Sequence, residues 1–212
     1  MKADDILKEV SHILRISLFI AAGGALVRGN WVVLFTVGLA LGLTFLPRLI
    51  KSQYRIVLPE ELELVIVLVI YASLFLGEIH GYYTLFWWWD IVLHAGSGLA
   101  LGYIGFLSMF ILYENKKVAA SPRGIALFSF CFALAIGALW EIAEFSMDLT
   151  FGASLKGYPM QPGLVDTMKD LIVDAAGALI ASISGFFYLK GKTYVFRSLV
   201  NRFAQKNPKL IK

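Results

Sequence analysis

Three sets of ionisable residues stand inside otherwise apolar stretches of this chain: Trp89-Asp90-x3-His94, Trp140-Glu141-x2-Glu144 and Asp166-x3-Asp170-x3-Asp174. On a helix, Asp90 and His94 project from one face, and so do Glu141 and Glu144. The three aspartates form a stripe that drifts by only about 40° per step at 3.6 residues per turn. Carboxylates with one imidazole suit a hard or borderline divalent cation. They equally suit a proton relay or general acid–base work. Several carboxylates at close range repel one another, so a metal, shared protons or a basic partner has to relieve them.

Within this pattern Asp90, His94, Asp170 and Asp174 are the candidate metal ligands. Glu141 or Glu144 is the candidate base that would activate water. Asp166 and Lys169 flank the set. Structural roles stand beside these functional ones. Asp90 and Asp166 suit helix N-caps, His94 a packed and hydrogen-bonded histidine, and Asp148 a solvated helix end. Glu78 and His80 read as loop residues. Lys169 either snorkels outward or pairs with a site carboxylate. Glu141 and Asp174 are the deepest acids, and a structural ion pair is the plain alternative for them.

The elements that carry these residues follow from composition. Of 212 residues, 58% are hydrophobic and only 16% are charged, against roughly 25% charged in soluble domains. Mean hydropathy is +0.73. Apolar stretches approach the ~20 residues a helix needs to cross hydrocarbon. The expected fold is an all-α polytopic transmembrane bundle of about six spans, near 12–27, 30–47, 61–79, 88–113, 125–147 and 164–189. Residues 1–190 form a single membrane domain, and 191–212 a basic cytoplasmic tail. The first two spans are short for a full crossing, so a re-entrant hairpin around Arg28-Gly29-Asn30 stays open beside two true spans. Pro47 and Pro59 bracket the next loop. Cys131 is the one cysteine, which excludes an internal disulfide.

The net charge of +4 does not indicate nucleic acid, because the basic residues lie between and after the apolar stretches. Three Lys or Arg precede or open the first span, three occupy 48–55, three occupy 116–123, and seven lie from Lys190 onward; only Arg28, Lys156 and Lys169 fall on the other side. The positive-inside rule then places both termini in the cytoplasm of a multi-pass cell-membrane protein. Tyr82, Tyr83, Trp87, Trp88 and Trp89 become an outer aromatic belt. All three polar sets gather in the outer half of the bilayer, although they come from different parts of the chain. Gly98-x3-Gly102 and Gly177-x3-Ala181-x3-Gly185 are small-residue stripes that let the fourth and sixth spans approach.

Asp90-Ile-Val-Leu-His94, Glu141-Ile-Ala-Glu144 and Asp170-Leu-Ile-Val-Asp174-Ala-Ala-Gly177-Ala178 resemble the signature of VanZ-like membrane proteins. The whole-chain layout is similar to the YjdF-like family of uncharacterised inner-membrane proteins. The resemblance covers about residues 60–190. Many VanZ-like members carry Gln at the position of Glu144 and Asn at that of Asp174, so this chain is the more acidic. The resemblance implies a cell-envelope context and supplies no mechanism.

Three functions compete on this evidence. One is a membrane enzyme, metal-dependent in its sharpest form, acting on a lipid or envelope precursor. Another is a proton- or cation-coupled transporter. The third is a non-catalytic envelope-binding or structural protein. The phosphate-loop, Rossmann, serine-nucleophile and HExxH patterns are absent from the sequence. Membrane lipid is the expected partner throughout.

Overall fold

The computed structural model describes residues 3–151, 159–191 and 197–210. Every regular element among them is helical. Six helical stretches are long and apolar enough to span a membrane: Asp4–Val27, Trp31–Tyr54, Glu60–Ile79, Trp89–Glu114, Pro122–Thr150 and Leu164–Leu189. Inter-residue contacts divide the chain into two compact units, Met1–Leu93 with Met147–Met160, and His94–Ser146 with Gln161–Lys212.

In the first unit, helix α1 (Ala3–Val27) begins well before the start expected at residue 12. Asp4 and Asp5 lie in its first turn, where they complement the positive end of the helix dipole. The 24 apolar-span residues of α1 reach about 36 Å at ~1.5 Å each, enough for a ~30 Å hydrocarbon layer. The first hairpin partner is therefore long enough to cross. Asn30 caps α2 (Trp31–Leu43), its side chain accepting from the Val33 amide at 3.1 Å.

The helix expected across 30–47 is broken. Pro47 lacks an amide proton and its ring crowds the carbonyl of Leu43, so α2 stops and α3 (Leu46–Tyr54) restarts with Pro47 in its first turn. The break exposes the Thr44 carbonyl, and Arg15 of α1 donates to it at 2.8 Å. Arg15, only 4% exposed, also meets Glu63 at 3.1 Å and lies over the Phe45 ring. Lys8 pairs with Glu60 at 3.4 Å. Both acids stand in the first turn of α4 (Glu60–Ile70), so charge ties α1 to the start of α4.

From Tyr71 to Ile79 the helix widens into a π-helix. That winding turns the Ala72 carbonyl toward the indole N–H of Trp89, which donates to it at 3.3 Å. Gly77 lets the Tyr83 ring lie against this stretch, since a Cβ there would meet ring atoms at 2.8 Å and closer. Helix α5 (Tyr82–Leu85) is a single turn. Tyr82, Phe86, Trp88 and Trp89 stack edge-on or tilted around it.

The second unit holds most of α6 (Trp89–Glu114), α7 (Pro122–Phe151) and α8 (Leu164–Leu189). Small residues bring these three into backbone contact. A Cβ on Gly177 would strike the Ala95 carbonyl and come within 2.8 Å of the Leu99 amide nitrogen; one on Gly102 would lie 2.6 Å from the Ala181 Cβ. These are the expected small-residue stripes of α6 and α8, and they face one another. Ser129 of α7 donates to the Gly102 carbonyl at 2.6 Å, and Ser182 of α8 donates to the Ala126 carbonyl. Leu139, Ile142 and Phe145 of α7, with Ile172, Leu179 and Ile183 of α8, stay exposed, as lipid-facing positions should. Within the basic tail, α9 (Arg197–Lys206) is amphipathic and buries Val200 and Phe203.

Candidate functional site

The polar set of the second unit lies where α6 begins, α7 ends and α8 begins. His94 is one turn into α6, 7% exposed. Asp174 is buried on α8, and its Oδ2 lies 3.2 Å from His94 Nδ1. Its other oxygen, Oδ1, accepts from the Ser97 hydroxyl at 3.2 Å. The same Ser97 hydroxyl lies 3.0 Å from the His94 carbonyl, one turn back on α6, so its single proton is shared between the two acceptors. The Asp174 carboxylate is thus clasped by two neighbours on one helix, and the imidazole ring is aimed by it.

Glycine makes that contact possible. A Cβ on Gly98 would run into the Asp174 carbonyl oxygen and sit 3.0 Å from its Cα; one on Gly137 of α7 would run into the Asp174 carboxylate. Both faces next to Asp174 are therefore bare backbone.

With Nδ1 directed at Asp174, the opposite ring nitrogen faces α7. His94 Nε2 is 3.8 Å from Glu141 Oε1, longer than a hydrogen bond. A ligand atom of His94 and one of Asp170 also lie within 4.8 Å of each other. Glu141, Glu144 and Asp170 are all buried. Gln161, in the loop before α8, donates through Nε2 to Glu141 Oε2 at 2.7 Å and to the Glu141 carbonyl at 3.1 Å.

Of the residues expected at the site, His94, Glu141, Asp170 and Asp174 come together in this unit. Glu144 is buried one turn beyond Glu141 on the same helix. Asp90 belongs to the first unit, half-buried inside the first turn of α6 rather than capping it. Asp166 is half-buried in the first turn of α8, where Gly163 occupies the N-cap. Lys169 is exposed. Asp148 accepts from the Met160 amide at 2.9 Å within the first unit. Ser97 and Gln161 are additions. Ser97 had a signal, as a hydroxyl one turn from His94 on the same face. Gln161, in a Pro- and Gly-rich loop, had no periodic signal.

The chain belongs to the family described as predicted membrane protein (DUF2238), which it matches over residues 10–191. It is also similar to an uncharacterized protein of Thermotoga maritima, with 31% identity over 120 residues, 57% of this chain and 59% of the relative. The match thus spans about three fifths of that relative's length. No solved structure matches.

Proposed function

We propose that this family member is a cell-membrane enzyme, both termini cytoplasmic, that acts with a divalent cation on a lipid or cell-envelope precursor from the outer leaflet. One observation carries the reading: a buried imidazole set between two carboxylates contributed by two other helices. Asp174 on Nδ1 is the arrangement that orients a ligating histidine through its second nitrogen. The role of Asp174 is then to hold His94, while Nε2, Asp170 and Glu141 supply donors.

The donor set fits a cation. Metal–donor bonds of about 2.0–2.2 Å at a tetrahedral angle put two donors about 3.4 Å apart. The 3.8 Å between Nε2 and Glu141 Oε1 is near that spacing and too long for a direct hydrogen bond. Imidazole with carboxylates suits zinc or manganese better than a soft metal. A bound cation would polarise a phosphoryl or carbonyl oxygen and acidify a water. Glu144 lies one turn along α7, in reach of the base role. Asp90 stands one turn before His94 and faces the same way on its helix.

Packing below the cluster favours a one-sided site over a transport path. Gly102 abuts Ala181, Gly105 abuts Phe132, and Gly185 abuts Phe106. The resemblance of the three motifs to the signature of VanZ-like proteins is the ground for an envelope context.

The test is metal content and chelator response of purified protein. Zinc or manganese should co-purify in near-stoichiometric amount, and chelation should lower the melting temperature. A ligand at a hundred times its Kd stabilises the folded state by about 2.7 kcal/mol. His94→Ala and Asp170→Asn should abolish both effects. Equal metal content in wild type and His94→Ala would overturn the reading.

A further inference from the structure

We infer that Gln161 is a positioning residue that aims Glu141 at His94, an inference that rests on the reading just proposed. Glu141 is 3% exposed on a long apolar helix, so its carboxylate takes its direction from buried partners. Gln161 supplies one on Oε2 at 2.7 Å, and the same amide nitrogen reaches the Glu141 carbonyl at 3.1 Å. Two contacts from one nitrogen fix the amide against both the side chain and the backbone of the same residue. With Oε2 held, Oε1 is the oxygen that faces Nε2 of His94 at 3.8 Å.

The chemistry of the partner matters. A carboxamide donates without carrying charge, so it steers the carboxylate and leaves its negative charge available. Lys or Arg in this place would neutralise Glu141 and compete with a cation. The loop suits the task. Pro162 confines the backbone of Gln161 to extended conformations. Gly163 follows at φ 152°, a conformation open to glycine, and α8 starts directly after it. Gln161 is thus presented from a short, stiff segment anchored on the helix that bears Asp170 and Asp174.

Two readouts test the inference, one with a cation and one without. Cobalt(II) binding to the full-length protein in micelles is measured by titration for wild type, Gln161→Leu, Glu141→Gln and the double variant. Loss of a residue that orients a ligand typically weakens metal binding about ten- to hundredfold. Gln161→Leu should show that loss in the wild-type background and none in the Glu141→Gln background, since it acts through Glu141. The second readout is the ring 15N resonance of His94 in metal-free protein, identified among the three histidines by its disappearance in His94→Ala. Gln161→Leu should shift the Nε2 signal, and the shift should vanish in Glu141→Gln. Gln161→Asn, one methylene too short to reach, should behave like Gln161→Leu and serves if the leucine variant fails to fold. A loop anchor without a steering role would change melting temperature and leave the His94 signal in place. An unchanged signal, or an equal shift in both backgrounds, overturns the inference. A coupled shift with no cobalt bound to wild type overturns the cation reading and leaves the positioning role standing.

Discussion

Gly98→Ala gives the most direct measure of how closely α6 and α8 have to approach for the site to exist. An added methyl would meet the Asp174 carbonyl oxygen and lie 3.0 Å from both the carbonyl carbon and Cα of Asp174. These are backbone atoms and cannot rotate away. Ordinary carbon contacts need about 3.5–4.0 Å, so α8 has to withdraw by roughly 0.5–1 Å. The His94–Asp174 contact stands at 3.2 Å, and the same displacement carries it beyond hydrogen-bonding range. Overpacking costs about 1–3 kcal/mol and a lost hydrogen bond to a charged group about 1.5–3, while alanine returns up to ~1 in helix propensity. The net loss is about 1.5–5 kcal/mol. Gly96→Ala is the internal control, two residues away on the same helix, where a methyl meets nothing within 4 Å. It should be neutral or stabilising by up to ~1 kcal/mol. Equilibrium unfolding in mixed micelles, followed by helical circular dichroism, compares the two. Gly98→Ala as stable as Gly96→Ala would refute the close approach and the geometry built on it.

Gly137→Ala should behave differently, because its methyl would meet the movable Asp174 carboxylate: stability falls by less than for Gly98→Ala, while the His94 ring 15N signal moves at least as far. Stability and signal changing in proportion across both variants would count against separate roles for the two glycines. Arg15→Met strips a buried partner from the Thr44 carbonyl and Glu63 and should cost about 3 kcal/mol in the same unfolding assay; Arg15→Lys should recover only part, since both hydrogen bonds come from the one Nη2 but the flat guanidinium face over Phe45 is lost. Wild-type stability in the Met variant would refute that tie. Reporter fusions after residue 212 and within the non-helical stretch at residues 55–58 should both read as cytoplasmic. An extracytoplasmic signal from either would reverse the side on which the polar cluster opens.

The six spans were legible in the sequence because hydropathy and length report the same constraint, the bilayer's demand for internally satisfied backbone. The facing of α6 and α8 was legible for a related reason: Gly98, Gly102, Gly177 and Ala181 leave room for backbone contact at one regular spacing. What escaped were features without a period. The break after Leu43 needed Pro47 to be read as ending a helix within a span rather than closing a loop at its end. The extension of α1 to Ala3 was hidden by polar residues that hydropathy counts as outside, although Asp4 and Asp5 suit a first turn. The π-helical winding at Tyr71–Ile79 has no composition cue that distinguishes it from an α-helix.

The same division runs through the site. Spacing assigned His94, Glu141, Asp170 and Asp174 to helix faces, but a face does not decide which oxygen meets which ring nitrogen. That choice depends on Ser97, which shares the Asp174 carboxylate with the imidazole, and on the bare backbone at Gly98 and Gly137 that lets Asp174 enter. It turns Asp174 from one more acid in a stripe into the group that holds the ring. Helical periodicity identifies residues that share a direction, whereas the partners that set their orientation come from loops and from the absence of side chains. Gln161 and the two glycines are therefore where relatives of this chain that differ in chemistry should differ first, with the Asp–His–Glu frame left in place.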